Sequence, residues 1–340
     1  MASNLSLANK YRPKTWDDVT EQASIVQILT QQVKTKTYAR CYLFTGGAGT
    51  GKTTNARIFS TAINGKEGVA IEIDAASNSS VERVRQIIAE ANQNPIDCYF
   101  KVYILDECHT FSNAAWQAFL KCLEQPPARA FFIFCTTDPQ KIPKTILSRI
   151  QRYDFQKISH AGIVKRLKYI CEQEGYTNFE QGIDYIAKLA DGGMRDAITM
   201  LDKCQAFSKE ISLPNVIECL GIINYDKMFE LTDNIVDQKD KNVVMIINEL
   251  YQKGIDLKTF MNEYQNFILD INKYILFQSF DYIKIPQTYQ DKLNYTIKID
   301  LAKKYFSDLL DITVSIKDMI KWEASPKSTI EIMLLKATRM

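Results

Sequence analysis

The feature that most constrains this 340-residue chain is a glycine-rich loop, which directly follows the apolar run 41–45 and opens into a helical pattern. Gly46, Gly51, Lys52 and Thr53 fit the P-loop pattern G-x-x-x-x-G-K-[ST]. Glycines allow backbone N–H groups to turn toward a phosphate, and the N-terminus of the next helix adds a partial positive charge. The lysine would reach the β- and γ-phosphates of a nucleotide, and the threonine hydroxyl would ligate Mg²⁺. We therefore expect an α/β domain built around a phosphate-binding site.

A pair of carboxylates follows a second apolar run. Residues 99–105 are typical of a buried parallel strand, and Asp106 and Glu107 stand at its carboxyl end. In a P-loop protein this is the place of the second acidic motif, so we expect Asp106 to hold Mg²⁺ through water and Glu107 to polarise the attacking water. The alternative is a pair of solvated carboxylates at a strand end. His109 would be a metal ligand or a base, but with no second histidine nearby we favour a structural role.

Strand and helix patterns alternate through the first half of the chain. Strands are expected at 41–45, 69–75, 99–105, 130–135 and near 153–155, helices at 24–33, 80–91 and 112–123, and a short helix at 139–147. This alternation predicts a parallel sheet with helices on both faces and a ligand at the carboxyl ends of the strands.

From Ile163 onward the pattern is only helical. Residues 222–340 contain one glycine and two prolines, which predicts an all-α region. An apolar stripe there is interpreted as a bundle core or subunit contact rather than a cofactor site; it comprises Tyr264, Phe267, Ile271, Tyr274 and Phe277.

The composition excludes several classes of protein. The net charge is +2, so any contact with nucleic acid has to come from a local patch. None of the eight cysteines forms a C-x-x-C pair, which indicates buried thiols in a reducing cytosol rather than disulfides or a zinc site. No apolar run approaches the roughly 18 residues of a membrane span, and the N-terminus shows no basic-then-apolar signal. We expect a cytoplasmic protein with no membrane partner.

Several segments together resemble the AAA+ clamp-loader ATPases of DNA replication. Besides the P-loop (Walker A) and the D-E-x-H motif at 106–109 (Walker B), they are 10–13, 71–77, 136–143 (sensor 1), 147–149 (a Ser-Arg signature) and 193–197 (sensor 2). The chain resembles in particular the bacterial motor subunits, gamma/tau, and is also similar to the small subunits of replication factor C. The resemblance extends from about Leu7 to Gly221, whereas residues 222–340 match only in length and helical character.

The resemblance implies a set of site residues. Nucleotide contacts are implied for Tyr11, Arg12, Pro13, Gly46, Gly47, Ala48, Gly49, Thr50, Gly51, Lys52, Thr53, Thr54, Met194 and Arg195. The cofactors would be ATP and Mg²⁺, with Thr53 and Asp106 at the metal. Catalytic roles are implied for Lys52, Asp106, Glu107, Thr137 as sensor 1, Arg149 as an arginine finger that acts on a neighbouring subunit, and Arg195 as sensor 2.

The chain departs from the family pattern in several places. The bacterial motor subunits carry a four-cysteine zinc module between the Walker A helix and the second strand, whereas only residues 64–68 fill that gap here. We therefore expect no zinc. Ile150 stands where the family often has a cysteine after the Ser-Arg pair.

The helix expected at 80–91 would face two partners. Asn78 and Ser80 stand where basic residues are common in the family, which weakens the case for DNA contact there. The expected DNA contacts are Ser79, Ser80 and Arg85, with the backbone N–H groups of the helix start facing template phosphates. The far end of the helix, residues 88–92, is expected to face the sliding clamp. The alternative is a plain amphipathic helix that covers the sheet.

The resemblance also implies an architecture and a function. An AAA+ core at 1–158 would be followed by a helical lid at 159–221 and by an all-α collar for oligomerisation at 222–340. The protein would be the ATP-driven motor subunit of a sliding-clamp loader. Its partners would be other loader subunits in a pentameric ring, the sliding clamp and primer–template DNA.

Two other functions remain open at this point. A stator subunit of the same assembly would bind without hydrolysing ATP, but the intact Lys52, Thr53, Asp106 and Glu107 favour a motor. A different AAA+ DNA-remodelling ATPase is disfavoured by the Ser-Arg signature and by the sensor-1 segment 136–143.

Overall fold

The computed structural model describes residues 6–67, 70–220, 225–299 and 301–339. The chain divides between Ser212 and Leu213 into two compact units. Residues 159–212 belong to the same unit as the P-loop. The boundary expected between residues 221 and 222 falls outside the described residues, and the division into core, lid and collar stays a prediction.

The first unit is built on a five-stranded sheet in which every pair of neighbouring strands is parallel. The strands are β1 (Cys41–Thr45), β2 (Ala70–Asp74), β3 (Lys101–Asp106), β4 (Ala130–Thr136) and β5 (Gln151–Asp154), in the order β2-β3-β4-β1-β5. Every residue of β1 and β4 is buried because these inner strands are covered on both faces, whereas the edge strands β2 and β5 are partly exposed. The predicted fold class is confirmed.

Helices cover both faces of the sheet. The elements that precede or cover it are α1 (Leu7–Lys10), a 3₁₀ turn (Trp16–Asp18), α2 (Ala23–Thr35), α3 (Lys52–Asn64), α4 (Val81–Ala91), a 3₁₀ turn (Cys108–Thr110), α5 (Asn113–Glu124) and α6 (Lys144–Leu147). Apolar residues of α2 and α3 pack on one face, and those of α4, α5 and α6 pack on the other. Ser80 and Ser112 cap α4 and α5 by accepting from backbone N–H groups in their first turns.

Three helices follow the sheet within the first unit: α7 (His160–Glu174), α8 (Glu180–Leu189) and α9 (Met194–Phe207). We call these three helices the lid. Their buried apolar residues form a core between them, and α1 packs against α9. The first helix of the chain therefore contacts the last helix of this unit.

Several predicted boundaries differ from the structure. Tyr99 is 73% exposed and β3 begins only at Lys101, because the apolar pattern continues into a surface turn. The helix expected at 139–147 is broken before Pro143, which restricts the preceding residue to extended backbone, into a 3₁₀ turn (Pro139–Lys141) and α6. The last strand ends at Asp154. Val69, the first residue of the strand expected at 69–75, and Gly68 before it lie outside the described residues.

The second unit is helical throughout its described residues. Its elements are α10 (Leu213–Leu220), α11 (Tyr225–Val236), α12 (Asp240–Gln252), α13 (Leu257–Phe277), 3₁₀ turns at Phe280–Tyr282 and Gln287–Tyr289, α14 (Gln290–Thr296), α15 (Ala302–Ile320) and α16 (Lys327–Ala337). The long helix α13 packs against α15. Four residues of the predicted stripe on α13 are buried, whereas Phe277, at its last position, is 56% exposed.

Six of the eight cysteines are buried, namely Cys41, Cys108, Cys122, Cys135, Cys171 and Cys204. Burial raises the pKa of Cys41 and of Cys171 to about 12, because desolvation disfavours the thiolate. Cys98 and Cys219 are half-buried. In the part of the chain that the structure describes, no helix combines the length and the apolar character needed to cross a bilayer.

Candidate nucleotide-binding site

The P-loop joins β1 to α3 through backbone conformations that favour glycine. Gly46, Gly49 and Gly51 have φ angles of 145°, 69° and 99°. Gly46 also lies against the chain that leaves β5, where an added Cβ would be 2.4 Å from the Phe155 carbonyl oxygen. Glycine is thus needed at Gly46 for both conformation and space. The resulting turn presents the N-terminus of α3 to an anion.

Lys52 is the buried cation of this loop, with only 6% of its surface exposed. Its Nζ donates to the carbonyl oxygens of Gly46 at 2.9 Å and Gly47 at 2.8 Å. Burial lowers the pKa of Lys52, because desolvation disfavours the charged ammonium. An ammonium held mainly by neutral carbonyls would gain from a phosphate anion placed within its reach.

Thr53 and Asp106 meet at the mouth of the P-loop. The Thr53 hydroxyl, at the start of α3, donates to Asp106 Oδ2 at 2.9 Å, and β3 carries that carboxylate to the carboxyl edge of the sheet. A hydroxyl and a carboxylate oxygen are ligand types that Mg²⁺ accepts beside water and phosphate. The pair therefore fits the donor set expected for Mg²⁺.

Glu107 follows β3 in a left-handed backbone conformation, with φ of 48°. Thr137, just past β4, donates its hydroxyl to Glu107 Oε2 at 3.0 Å. His109 Nδ1 lies 3.2 Å from the same oxygen and 3.1 Å from Thr136 Oγ1. The ends of β3 and β4 thus hold the carboxylate in one place. His109 bridges the two strand ends, and its contact with Glu107 was not anticipated from the sequence.

The N-terminal arm, residues 7–22, contributes a second wall of the site. The Tyr11 hydroxyl donates to Glu174 of α7, and Lys10 Nζ donates to the same carboxylate at 2.6 Å. Arg166, also on α7, donates to the Tyr11 carbonyl oxygen at 2.7 Å. The arm is therefore fastened to the lid by contacts that span more than 150 residues of sequence.

The lid touches the P-loop through backbone atoms. The Met194 N–H donates to the Gly49 carbonyl oxygen at 3.1 Å. A Cβ on Gly49 would lie 3.1 Å from both the Gly193 Cα and the Arg195 nitrogen, so this approach also favours glycine. The contact places the start of α9, with Met194 and Arg195, beside the loop.

These groups line one cleft of about 300 Å³ within the first unit. Its lining contains most of the expected nucleotide-site residues: Tyr11, Arg12, Pro13, Ala48, Gly49, Thr50, Gly51, Lys52, Thr53, Thr54, Asp106, Glu107, Met194 and Arg195. Gly46, Gly47 and Thr137 do not line the cleft themselves. The two glycines contact it through their hydrogen bonds with Lys52, and Thr137 contacts it through its hydrogen bond with Glu107. Burial lowers the pKa of Arg12, the arm's cation in this cleft.

Sequence reasoning missed eight residues of the lining, namely Ala8, Val19, Thr20, Asn55, Ile158, Arg166, Asp196 and Ile198. They come from the arm, α3, the segment after β5 and the lid, and only Asp196, in the sensor-2 segment 193–197, lies in a motif. Among the other seven, only Arg166 had a signal, a cation on an amphipathic helix, and many solvated arginines share that pattern. Their place in the site follows from the fold alone.

Arg149 and the expected DNA contacts do not line this cleft. Arg149 donates from Nε and Nη2 to Glu124 Oε1, at 3.0 and 2.8 Å, and from Nη1 to the Thr145 carbonyl oxygen at 2.6 Å. Ser80 is occupied as the cap of α4. Arg85 lines a separate groove between α4 and α5.

Two family models match the first unit. The model described as DNA polymerase III, delta subunit, matches residues 66–159. The model described as DNA polymerase III clamp loader subunit, ATPase lid domain, matches residues 162–210. The gap between the two matches, residues 160–161, is the start of α7.

Similar proteins extend this finding to more of the chain. DNA polymerase III subunit tau of Bacillus subtilis is 31% identical over 97% of this chain and 62% of that protein, so this chain spans less than two thirds of that relative. DNA polymerase III subunit gamma of Buchnera aphidicola subsp. Schizaphis graminum is 32% identical over 79% of this chain and 78% of that protein. Among solved structures, the RuvB Holliday junction branch migration motor of Thermotoga maritima has a TM-score of 0.52, covers 73% of this chain and 87% of its own, and is 14% identical. That likeness shows the fold alone.

Proposed function

The chain belongs to the family of DNA polymerase III gamma and tau subunits, and from this premise we propose that it is the ATP-driven motor subunit of a sliding-clamp loader. ATP binding would open and hold the clamp, and primer–template DNA would trigger hydrolysis and clamp release. The observation that carries the proposal is the convergence of Lys52, the Thr53–Asp106 pair and Glu107 in one cleft.

The P-loop side of the cleft would bind the triphosphate. Lys52 would exchange its two carbonyl acceptors for β- and γ-phosphate oxygens, and the start of α3 would supply N–H donors. Thr53 and Asp106 would hold Mg²⁺, which neutralises phosphate charge when it is bound. Arg195 would add a cation from the lid.

Glu107 would orient and polarise the attacking water. Its carboxylate accepts from Thr137 and lies beside His109, so one oxygen is held while the other can face the water. Thr137, as sensor 1, would couple a change in position at the end of β4 to the Glu107 carboxylate through their hydrogen bond. These roles rest on the hydrogen bonds at the two strand ends.

Arg149 would act on the nucleotide of a neighbouring subunit. It does not line its own cleft, and its guanidinium is oriented by Glu124 and by the Thr145 carbonyl oxygen. A guanidinium remains charged and grips phosphate oxygens at two points, which suits it to charge that develops in the transition state. Such fingers contribute about 10³–10⁵ in turnover.

A mixing experiment tests the finger. Arg149→Ala subunits should bind ATP normally by themselves but lose the turnover that clamp and DNA stimulate in the assembled loader. Lys52→Ala subunits that keep Arg149 should restore hydrolysis at the neighbouring site that they face. If Arg149→Ala weakens ATP binding in the isolated subunit, the residue acts on its own site and the proposal of a trans finger is wrong.

The proposed partners are other loader subunits in a pentameric ring, the sliding clamp and primer–template DNA. We propose that the start of α4, with Ser79, Ser80 and Arg85, faces template phosphates. Arg85→Ala should then weaken binding of primed DNA and reduce its salt slope by about one unit. An unchanged slope would leave α4 with a packing role. The absence of zinc and the cytoplasmic location stay predictions.

The overall function is tested by the rate of ATP hydrolysis with primed DNA and clamp, each alone and together. A motor should be stimulated most by the pair, and Lys52→Ala provides the inactive control. Turnover that ignores both partners would point to another AAA+ machine.

A stator subunit is the second candidate. Residues 66–159 match a model described as the delta subunit rather than as gamma or tau, which keeps a different role in the same assembly as a candidate. The intact acidic pair at the end of β3 supports the motor instead. ATP binding without any turnover in the complete assembly would decide for the stator.

A further inference from the structure

We propose that Glu21 is a positioning residue that holds the lid over the P-loop. The inference rests on the proposed ATPase function and deepens it. Glu21 and Gln22 are the last two residues of the arm, directly before α2, and the backbone of both is left-handed, with φ angles of 61° and 59°. Residues other than glycine rarely adopt this backbone conformation, so two such residues in succession persist only where surrounding contacts hold them. Those contacts come from residues 156–159, the part of the segment between β5 and α7 that we call the linker.

Gln22 and Gln156 hold the linker at its first residue. Gln22 Nε2 donates to the Gln156 carbonyl oxygen at 2.7 Å, and the Gln156 N–H donates to Gln22 Oε1 at 3.2 Å. One side chain therefore satisfies both backbone groups of one linker residue. The two hydrogen bonds are like those that a residue of a neighbouring β-strand would make, although Gln22 lies in no strand.

Glu21 holds the linker at its last residue. Its Oε2 accepts from the Ser159 N–H at 3.0 Å, and its Oε1 accepts from the Ser159 hydroxyl. Ser159 is the cap of α7 and accepts in turn from the Gly162 N–H at 3.0 Å. A Cβ on Gly162 would lie 2.5 Å from Glu21 Oε1, so the carboxylate occupies the space that a side chain would need. A negative charge at this helix start is also favourable electrostatically.

The linker passes this constraint on to the P-loop. The Ile158 N–H donates to the Gly192 carbonyl oxygen at 3.1 Å, and Lys157 pairs with Asp191 at 2.6 Å. Asp191 and Gly192 lie in the turn directly before α9, which begins at Met194. The Met194 N–H donates to the Gly49 carbonyl oxygen. Hydrogen bonds connected by short backbone segments thus lead from Glu21 through the linker to the loop expected to hold phosphate.

The path explains why a residue outside the cleft should affect nucleotide binding. The cleft is complete only when the start of α9 lies against Gly49 and Ile158 faces inward. Without the Glu21 contacts the linker could pivot, and the closed arrangement would be populated for a smaller fraction of the time. The apparent affinity for ATP falls in proportion to that fraction.

Hydrogen exchange on the nucleotide-free full chain tests the position of the lid directly. In Glu21→Ala, the amides of Ile158 and Met194 should exchange about tenfold faster, because each loses protection when the linker pivots. In Glu21→Gln, the exchange rates of these two amides should lie between those of Glu21→Ala and the wild type, because the glutamine amide oxygen can still accept from Ser159. Lys36→Ala is the matched control, since Lys36 is also left-handed, at φ 56°, but ends α2 with backbone bonds to Gln32 and Val33.

The second measurement is the ATP affinity of the same variants. Glu21→Ala should weaken ATP binding about three- to tenfold, the scale of one exposed charge-assisted contact, while Lys36→Ala leaves it unchanged. Unchanged exchange at Ile158 and Met194 would overturn the proposal. So would faster exchange spread equally over β1 and β4, which would mark a general loss of stability. A wild-type chain that binds no ATP would instead refute the proposed function, and the exchange data would still decide the role of Glu21.

Discussion

The two ends of the cleft are built in opposite ways. The loop end, formed by residues 46–54 with the ends of β3 and β4, uses backbone groups and side chains from short, continuous motifs. The arm end is formed by Tyr11 and Arg12 of the arm with Arg166 and Ile198 of the lid, which are more than 150 residues apart in sequence. The loop end can therefore take shape when the neighbouring strands β1, β3 and β4 pair and α3 forms beside them. The arm end exists only when the arm and the lid are assembled.

The largest effect should come from Lys52 at the loop end. Lys52→Ala should abolish ATP turnover and most ATP binding, because it removes the buried cation that phosphate oxygens would meet. The measurement is ATP binding and hydrolysis beside Lys34→Ala, which changes an exposed lysine on α2. Retained turnover in the Lys52 variant would refute the assignment of the P-loop and with it the contrast between the two ends.

Glu107→Gln should separate chemistry from binding at the same end. The amide can still accept from Thr137 but cannot polarise water as a carboxylate does, so turnover should fall by at least about 10² while ATP affinity is retained. Equilibrium binding and single-turnover hydrolysis, measured together, give the two numbers. A collapse in affinity would make Glu107 a binding residue instead.

Arg166→Ala should reveal what the arm end contributes. The variant loses the 2.7 Å hydrogen bond to the Tyr11 carbonyl oxygen, so the arm should become less ordered and ATP should bind about tenfold more weakly. The turnover of bound ATP should change little, because the loop end is untouched. Lys168→Ala, an exposed change on α7, serves as the control. An equal loss in turnover would show that the two ends are not separable.

The smallest effect should come from the pH dependence of the arm's attachment. Hydrogen bonds from Lys10 and Tyr11 lower the pKa of Glu174 below its usual value. A lowered pKa in the folded state means that the contribution is complete above the ordinary glutamate pKa of about 4.3 and is lost as pH falls through the lower folded value. Glu174→Gln should therefore lower the Tm by about 1–3 °C near neutral pH and by less below about pH 4. A gap in Tm that stays constant with pH would contradict this assignment.

The contrast between the two ends also explains what the sequence could predict. The strand that precedes Gly46 and the one that delivers Asp106 are buried apolar runs with glycine or carboxylates at their ends, so pattern alone placed both at the same sheet edge. Arg166 and Ile158 have no such pattern, because their importance depends on which distant segments they meet. The sensor and finger roles came from the family resemblance and stay predictions.

Backbone conformation was the least predictable feature. Glu21 and Gln22 are left-handed although neither residue favours that conformation, and their contacts with the linker span more than 130 residues of sequence. The broken helix at 139–147 had a visible cause in Pro143, but apolar spacing suggested continuity. Where the cause is local, reading the turn residues would have sufficed. Where the cause is a tertiary contact, the local sequence does not reveal the backbone conformation.

The buried thiols of the sheet have a practical consequence. With a pKa of about 12, Cys41 would be ionised in on the order of one molecule in 10⁵ at neutral pH, and the thiolate is the form that reacts. An alkylating reagent should therefore modify the half-buried Cys98 and Cys219 first. Once those two are replaced, alkylation of the six buried cysteines reports the opening of the first unit, and mass measurement of the separated peptides shows when Cys41 of the sheet becomes accessible.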